Sequence, residues 1–154
     1  MLRRFVEVLR IVFISPEIVA TLIIALLFMY WPQPYVMIGS KFTSNSKLWE
    51  YIPVIPIGVF SFSIYLSFQL QAPVESANRE LYDWELYWAL KYRIIAAIFW
   101  AGSSVMLSLA LWFISTELSN VLTGCIFIEA ITLSVIVAAT EIMALFTLKE
   151  ILAK

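Results

Sequence analysis

The chain has 154 residues, 62% of them hydrophobic and 14% charged, with a formal net charge of −1. Average soluble domains carry about 45–50% apolar and about 25% charged residues, so a mean hydropathy of +0.92 all but excludes a water-soluble fold. Histidine is absent and Cys125 is the one cysteine, which removes histidine-based triads, Cys/His zinc sites and intramolecular disulfides. The charge balance offers nothing to nucleic acid, and no catalytic constellation, phosphate-binding loop, cofactor motif or metal-ligand set is read. The expected fold is an all-α integral membrane protein, a single domain over residues 1–154.

Residues 2–14 are predicted to form an amphipathic helix lying in the membrane interface. Arg3, Glu7 and Arg10 recur at i, i+4 and i+7, while Leu2, Phe5, Val6, Leu9, Val12 and Phe13 fill the other side. The charges interrupt any signal-like apolar run and no small-x-small site follows, so this segment is not read as a cleaved peptide. Ser15, Pro16 and Glu17 form a helix start, with Ser as N-cap, Pro at the first position and an acid facing the positive helix end. The first span is expected over about 16–38, with Pro32 and Pro34 breaking or kinking its far end beside Tyr30, Trp31 and Tyr35.

Residues 39–47, rich in Ser, Thr and Asn, are predicted to be a polar loop, and the second span to cover about 52–71 before Pro73. Residues 74–93 carry most of the mid-chain charge and no helix breaker. They are expected to form a cytosolic helical extension of the third span, 94–114. A fourth span over 120–148 follows capping candidates Ser119 and Asn120; at roughly 43 Å it exceeds a hydrocarbon core of about 30 Å. Four spans place both termini on one side. With the termini inside, the cytosolic segments hold eight basic residues and the outer ones only Lys41 and Lys47, which by the positive-inside rule puts the termini in the cytoplasm.

Charge-capable residues within spans are costly and mark candidate sites. Glu129 lies about 13 Å along the fourth span, with no Lys or Arg at comparable depth in any span. Its open alternatives are protonation, hydrogen bonding to Ser or Thr, a water-filled cavity or a bound cation. Structurally, it would pack against Ser103, Ser104 or Ser108, or against a second copy; functionally, it would be a proton or ion site. Thr140 returns to within roughly 20° of Glu129 on the helical wheel and Thr147 to the same line, and the three define a polar stripe. Glu141 is expected nearer the inner interface, in a structural ion pair with Arg93 or Lys91 of the third span. Ala97 with Ala101 and Ser104 with Ser108 are small-x-x-x-small pairs suited to close helix packing.

The aromatic, charged segment before the third span has two readings, an interfacial belt or a docking surface for a cytosolic protein, with Asp83, Trp84, Glu85 and Trp88 as its contacts. In outline the chain resembles small multidrug transporters, immunity proteins against pore-forming bacteriocins and membrane subunits of bacterial anti-phage systems, in span number and length but in no motif. Small multidrug transporters carry their essential acid in the first span, whereas Glu17 is read as a helix-start residue. Such an outline is a fold-level analogy and identifies no family; transport of the multidrug type is disfavoured, and a bacterial inner membrane and a role in defence are expected by analogy alone. The expected function is a non-enzymatic multi-pass membrane subunit that contacts the lipid bilayer, forms a homo-oligomer and engages a cytosolic protein partner or a membrane-active agent. The alternative is a proton or cation channel or transporter built on Glu129.

Overall fold

A run of apolar residues inside a bilayer must satisfy its backbone internally, and helices do so within a single segment. The computed structural model describes residues 15–44, 46–71, 87–114 and 117–152, and is helical almost throughout. Five α-helices follow in chain order: α1 Pro16–Tyr30, α2 Gln33–Ser44, α3 Val54–Gln71, α4 Tyr87–Ile114 and α5 Asn120–Leu152; a 3-10 turn, Ser46–Tyr51, leads into α3. Three segments, Trp49–Phe68, Tyr87–Ile114 and Asn120–Thr147, are long and apolar enough to cross a membrane, and α1 with α2 forms a further apolar pair bent by 96°.

The bend falls at the prolines expected to break or kink the first span over 16–38, and its angle divides that span into two helices. Trp31 closes α1 by donating its N–H to the Leu27 carbonyl at 2.7 Å, and Pro32 has no N–H with which to continue. Pro34 is tolerated in the first turn of α2, where its missing donor would be unpaired in any case. The predicted loop over 39–47 is instead helical as far as Ser44. The hydroxyls of Ser40 and Ser44 fold back onto the Met37 and Lys41 carbonyls, so residues that favour loops in water cap their own helix here. Helix α4 starts at Tyr87, within the helical extension expected ahead of the third span, and α5 runs past the predicted 148 to Leu152. The amphipathic helix assigned to residues 2–14, and most of the charged extension before α4, lie outside the described residues.

The helix starts behave as their residue types require. Ser15 is extended (φ −87°, ψ 149°), and its side chain accepts from the Ile18 N–H at 3.5 Å ahead of Pro16. Ser119 does the same for α5, accepting from the Leu122 N–H at 3.4 Å.

Helix α5 is the common surface of the bundle, touching α1, α2, α3 and α4. Its seam with α4 is lined by small residues. Ala97, Ala101, Ser104 and Ser108 of α4 are buried, Ser104 and Ser134 meet hydroxyl to hydroxyl at 3.0 Å, and Val137 packs on Ala97 and Ala101. Without a hydrophobic force between helices in lipid, such close approach and its dispersion contacts hold the pair. Two glycines do the same between α2 and α5: a Cβ at Gly39 would overlap the Asn120 backbone, and one at Gly124 would overlap the Tyr35 backbone. Phe42, Ile52 and Leu111 fill the Asn120 end of the bundle, and Tyr87 with Ile94 the opposite end.

Candidate functional site

On α1, Glu17, Thr21, Ile24 and Phe28 recur at i, i+4, i+7 and i+11 and make one stripe, while Val19, Leu22, Ile23, Leu26 and Leu27 are exposed. The stripe faces the bundle. Its first member, Glu17, is 0% exposed and receives both terminal nitrogens of Arg93 from α4, at 2.5 and 3.1 Å. Paired donation to both carboxylate oxygens is the strongest arrangement for this ion pair and fixes its orientation. The same Arg93 Nη2 also donates to Thr140 Oγ1 on α5 at 3.0 Å, and Thr140 passes its own hydrogen to the Val137 carbonyl at 3.0 Å. One guanidinium thereby ties α1, α4 and α5 together.

The neighbouring acid, Glu141, is 5% exposed and accepts from Ser63 Oγ of α3 at 2.7 Å. The ion pair expected for Glu141 therefore forms on a different acid. Arg93 and Glu141 line the same narrow crevice, but the guanidinium is turned to Glu17, while Lys91 lies 5.6 Å above the Trp88 ring. Ser67 donates to the Ser63 carbonyl and is buried with it, whereas Ser61, on another face of α3, is exposed and bonds back to Ile57.

Glu129 is engaged from α1. Its Oε1 lies 2.5 Å from Thr21 Oγ1, and the serines of α4 proposed as its partners bond to their own helix or to Ser134. Thr140, predicted to share a stripe with Glu129, serves Arg93 instead. The charge-capable side chains thus form three groups on α5: Glu129 with Thr21, Thr140 with Arg93 and Glu17, and Glu141 with Ser63. Among the described residues Trp100 Nε1 is the one buried side-chain nitrogen or oxygen without a partner.

Of the docking residues read from the sequence, Asp83, Trp84 and Glu85 lie outside the described residues. Trp88 is half exposed at the start of α4, in an aromatic row with Tyr87 and Tyr92. Sequence reasoning missed the roles of Glu17 and Thr21. The detectable signal was their own spacing, two polar residues one turn apart on a helix otherwise apolar all round. No family model, curated protein or solved structure matches the chain.

Removing one partner of a buried ion pair strands the other charge, at a cost of about 3–5 kcal/mol. Glu17→Gln and Arg93→Met are each expected to lower thermal stability sharply in mild detergent. The double variant Glu17→Met with Arg93→Met should recover much of the loss, and melting curves for the three would reveal this non-additivity.

Proposed function

We propose that the chain is a non-catalytic, four-span membrane subunit that assembles with copies of itself in the bilayer and engages a cytosolic protein or a membrane-active agent, in a sensor, anchor or immunity-type role. The observation that carries the self-assembly is an apolar groove of about 430 Å³ on the outer wall of α3 and α4, between Phe60, Ile98, Phe99 and Met106, with Gly102 and Ser103 among its lining. Small residues in such a groove admit the backbone of another helix, the usual basis of association in lipid. The interior polar groups support the same reading, since each acid is held within one copy and the outward walls are left apolar. The half-exposed Trp88 with its aromatic neighbours supports an interfacial or partner-facing role for that end of the molecule.

Four crossings follow if α1 and α2 act as one broken span. Glu17 is joined through Arg93 to Thr140, while Gly39 lies on Asn120, and these two positions on α5 stand roughly 30 Å apart, a full hydrocarbon thickness. Charge agrees. With Arg93 set aside as an interior residue, four crossings distribute the remaining basic residues seven against two, and a re-entrant α1–α2 loop five against four. The strong bias supports a broken span with both termini in the cytoplasm of a bacterial inner membrane. In a Cys125→Ser background, an impermeant maleimide applied to intact cells should label Ser40→Cys and spare Leu2→Cys and Lys154→Cys. The same outcome for Ser40→Cys and Leu2→Cys, both labelled or both spared, would mark a re-entrant loop.

Self-assembly is tested by native mass spectrometry from mild detergent. Gly102 has room for a side chain, because a Cβ there meets only the Phe60 ring at 3.6 Å. Gly102→Leu should therefore leave the bundle folded and shift the wild-type oligomer to monomer; a monomeric wild type without partners removes the proposal. A proton or cation pathway is a second reading, favoured by the depth of Glu129 in α5. It requires ion flux in liposomes that Glu129→Gln abolishes while assembly is retained.

A further inference from the structure

Of the three acids facing into the bundle, Glu129 is the one whose partner is a hydroxyl that lies close to a second acceptor oxygen. It sits about 13 Å from the Asn120 end of α5, well inside a hydrocarbon core of about 30 Å. The groups around it come from several elements. Helix α1 supplies Thr21; α2 supplies Tyr35, whose hydroxyl donates at 3.1 Å to the Ile24 carbonyl; Cys125 lies one turn back on α5 itself. On α4, the cation Arg93 is committed to Glu17 and Thr140, and on α3, Ser63 is committed to Glu141. Among the described residues, Glu129 therefore has a hydroxyl and no cation as its partner.

That hydroxyl has two oxygen neighbours. Thr21 Oγ1 lies 2.5 Å from Glu129 Oε1 and 3.0 Å from the Glu17 carbonyl oxygen. A threonine hydroxyl owns one hydrogen, and a carboxylate and a carbonyl are both acceptors only. With Glu129 ionised, one hydrogen faces two acceptors, and one close oxygen–oxygen contact is left without a proton in a region where water does not supply it. With Glu129 as a carboxylic acid, its O–H donates to Thr21 Oγ1 and Thr21 donates to the Glu17 carbonyl, so both contacts hold a hydrogen. The second arrangement also removes an uncompensated charge from the bilayer interior.

We propose that Glu129 is a proton-binding site: in the folded, membrane-inserted chain its carboxyl holds a proton, and Thr21 relays the hydrogen bond to the backbone of α1. The bound species is a single proton taken from water onto the carboxylate, with no other bond made or broken. The site stands apart from both functional readings above, because a held proton requires neither assembly nor flux.

The test is infrared spectroscopy of the protein in liposomes at neutral pH, with carbodiimide labelling of the unaltered chain. The wild-type minus Glu129→Gln difference spectrum should contain the carbonyl stretch of a protonated carboxylic acid, shifted on transfer to D2O. Dicyclohexylcarbodiimide, an apolar reagent that attacks protonated carboxyls, should label the peptide carrying Glu129. The glutamine amide can donate to Thr21 as the acid does, so this variant should melt within a few degrees of wild type. Thr21→Val should move the Glu129 band to the higher frequency of a carbonyl whose O–H has lost its acceptor. Loss of a carboxylate stretch in place of the acid band in Glu129→Gln, together with an unlabelled Glu129 peptide, overturns the proposal. An unmoved band in Thr21→Val overturns the relay.

Discussion

A full charge has no water to turn to inside a packed helical bundle, and that constraint organises this molecule. The Arg93 guanidinium, 23% exposed, faces a fully buried carboxylate, and three of its five N–H groups are taken by groups from other helices. Glu17 supplies the counter-charge from α1 and Thr140 a further acceptor from α5. Helix α1 is otherwise apolar on all sides and carries no information in its hydrophobic pattern about which face should turn inward. The ion pair gives it that orientation, and Thr21 and Tyr35 continue the same contact line toward the bend.

The remainder of the bundle is held by proximity. Alanine and serine on α4, and glycine on α2 and α5, bring backbones together where bulky side chains would hold them apart. Serines in this seam lie on carbonyls of their own helix, and Ser104 and Ser134, whose two hydrogens are shared among three close contacts, also meet across it. Helix α5 contacts four other helices through small and hydrogen-bonded residues and, between them, larger ones such as Leu133 and Phe127. Specific polar contacts and close backbone approach are complementary here: the first choose the rotation of a helix, and the second set its distance.

Much of this architecture was legible in the sequence, and the unread parts share a cause. Apolar runs of spanning length, and caps such as Ser15 and Ser119, report local physics and were found where periodicity and residue type placed them. The small-residue pairs of α4 were read for the same reason. The 96° turn at Trp31 was only half visible, since prolines announce a break and leave its angle to the packing of α2 on α5. Partner choice was the least legible. Glu141 and Glu17 both lie close to Arg93, and sequence depth alone favoured the former. The face of α1 that turns inward decides for the latter, and the one local sign of that rotation is the spacing of Glu17 and Thr21. Glu129 likewise took a partner from α1, because its own side of α5 is turned to that helix and not to the serines of α4.

The brevity of α1 has a consequence for the lipid around it. Its 15 residues extend roughly 22 Å, against about 30 Å of hydrocarbon, before the chain turns through 96° into α2. The exposed flank made by Leu22, Ile23, Leu26 and Met29 therefore presents a shorter apolar wall than α4 or α5 does. If α1 and α2 together make one crossing, lipid chains on that side meet two helix axes turned through 96°, where α4 and α5 each offer one.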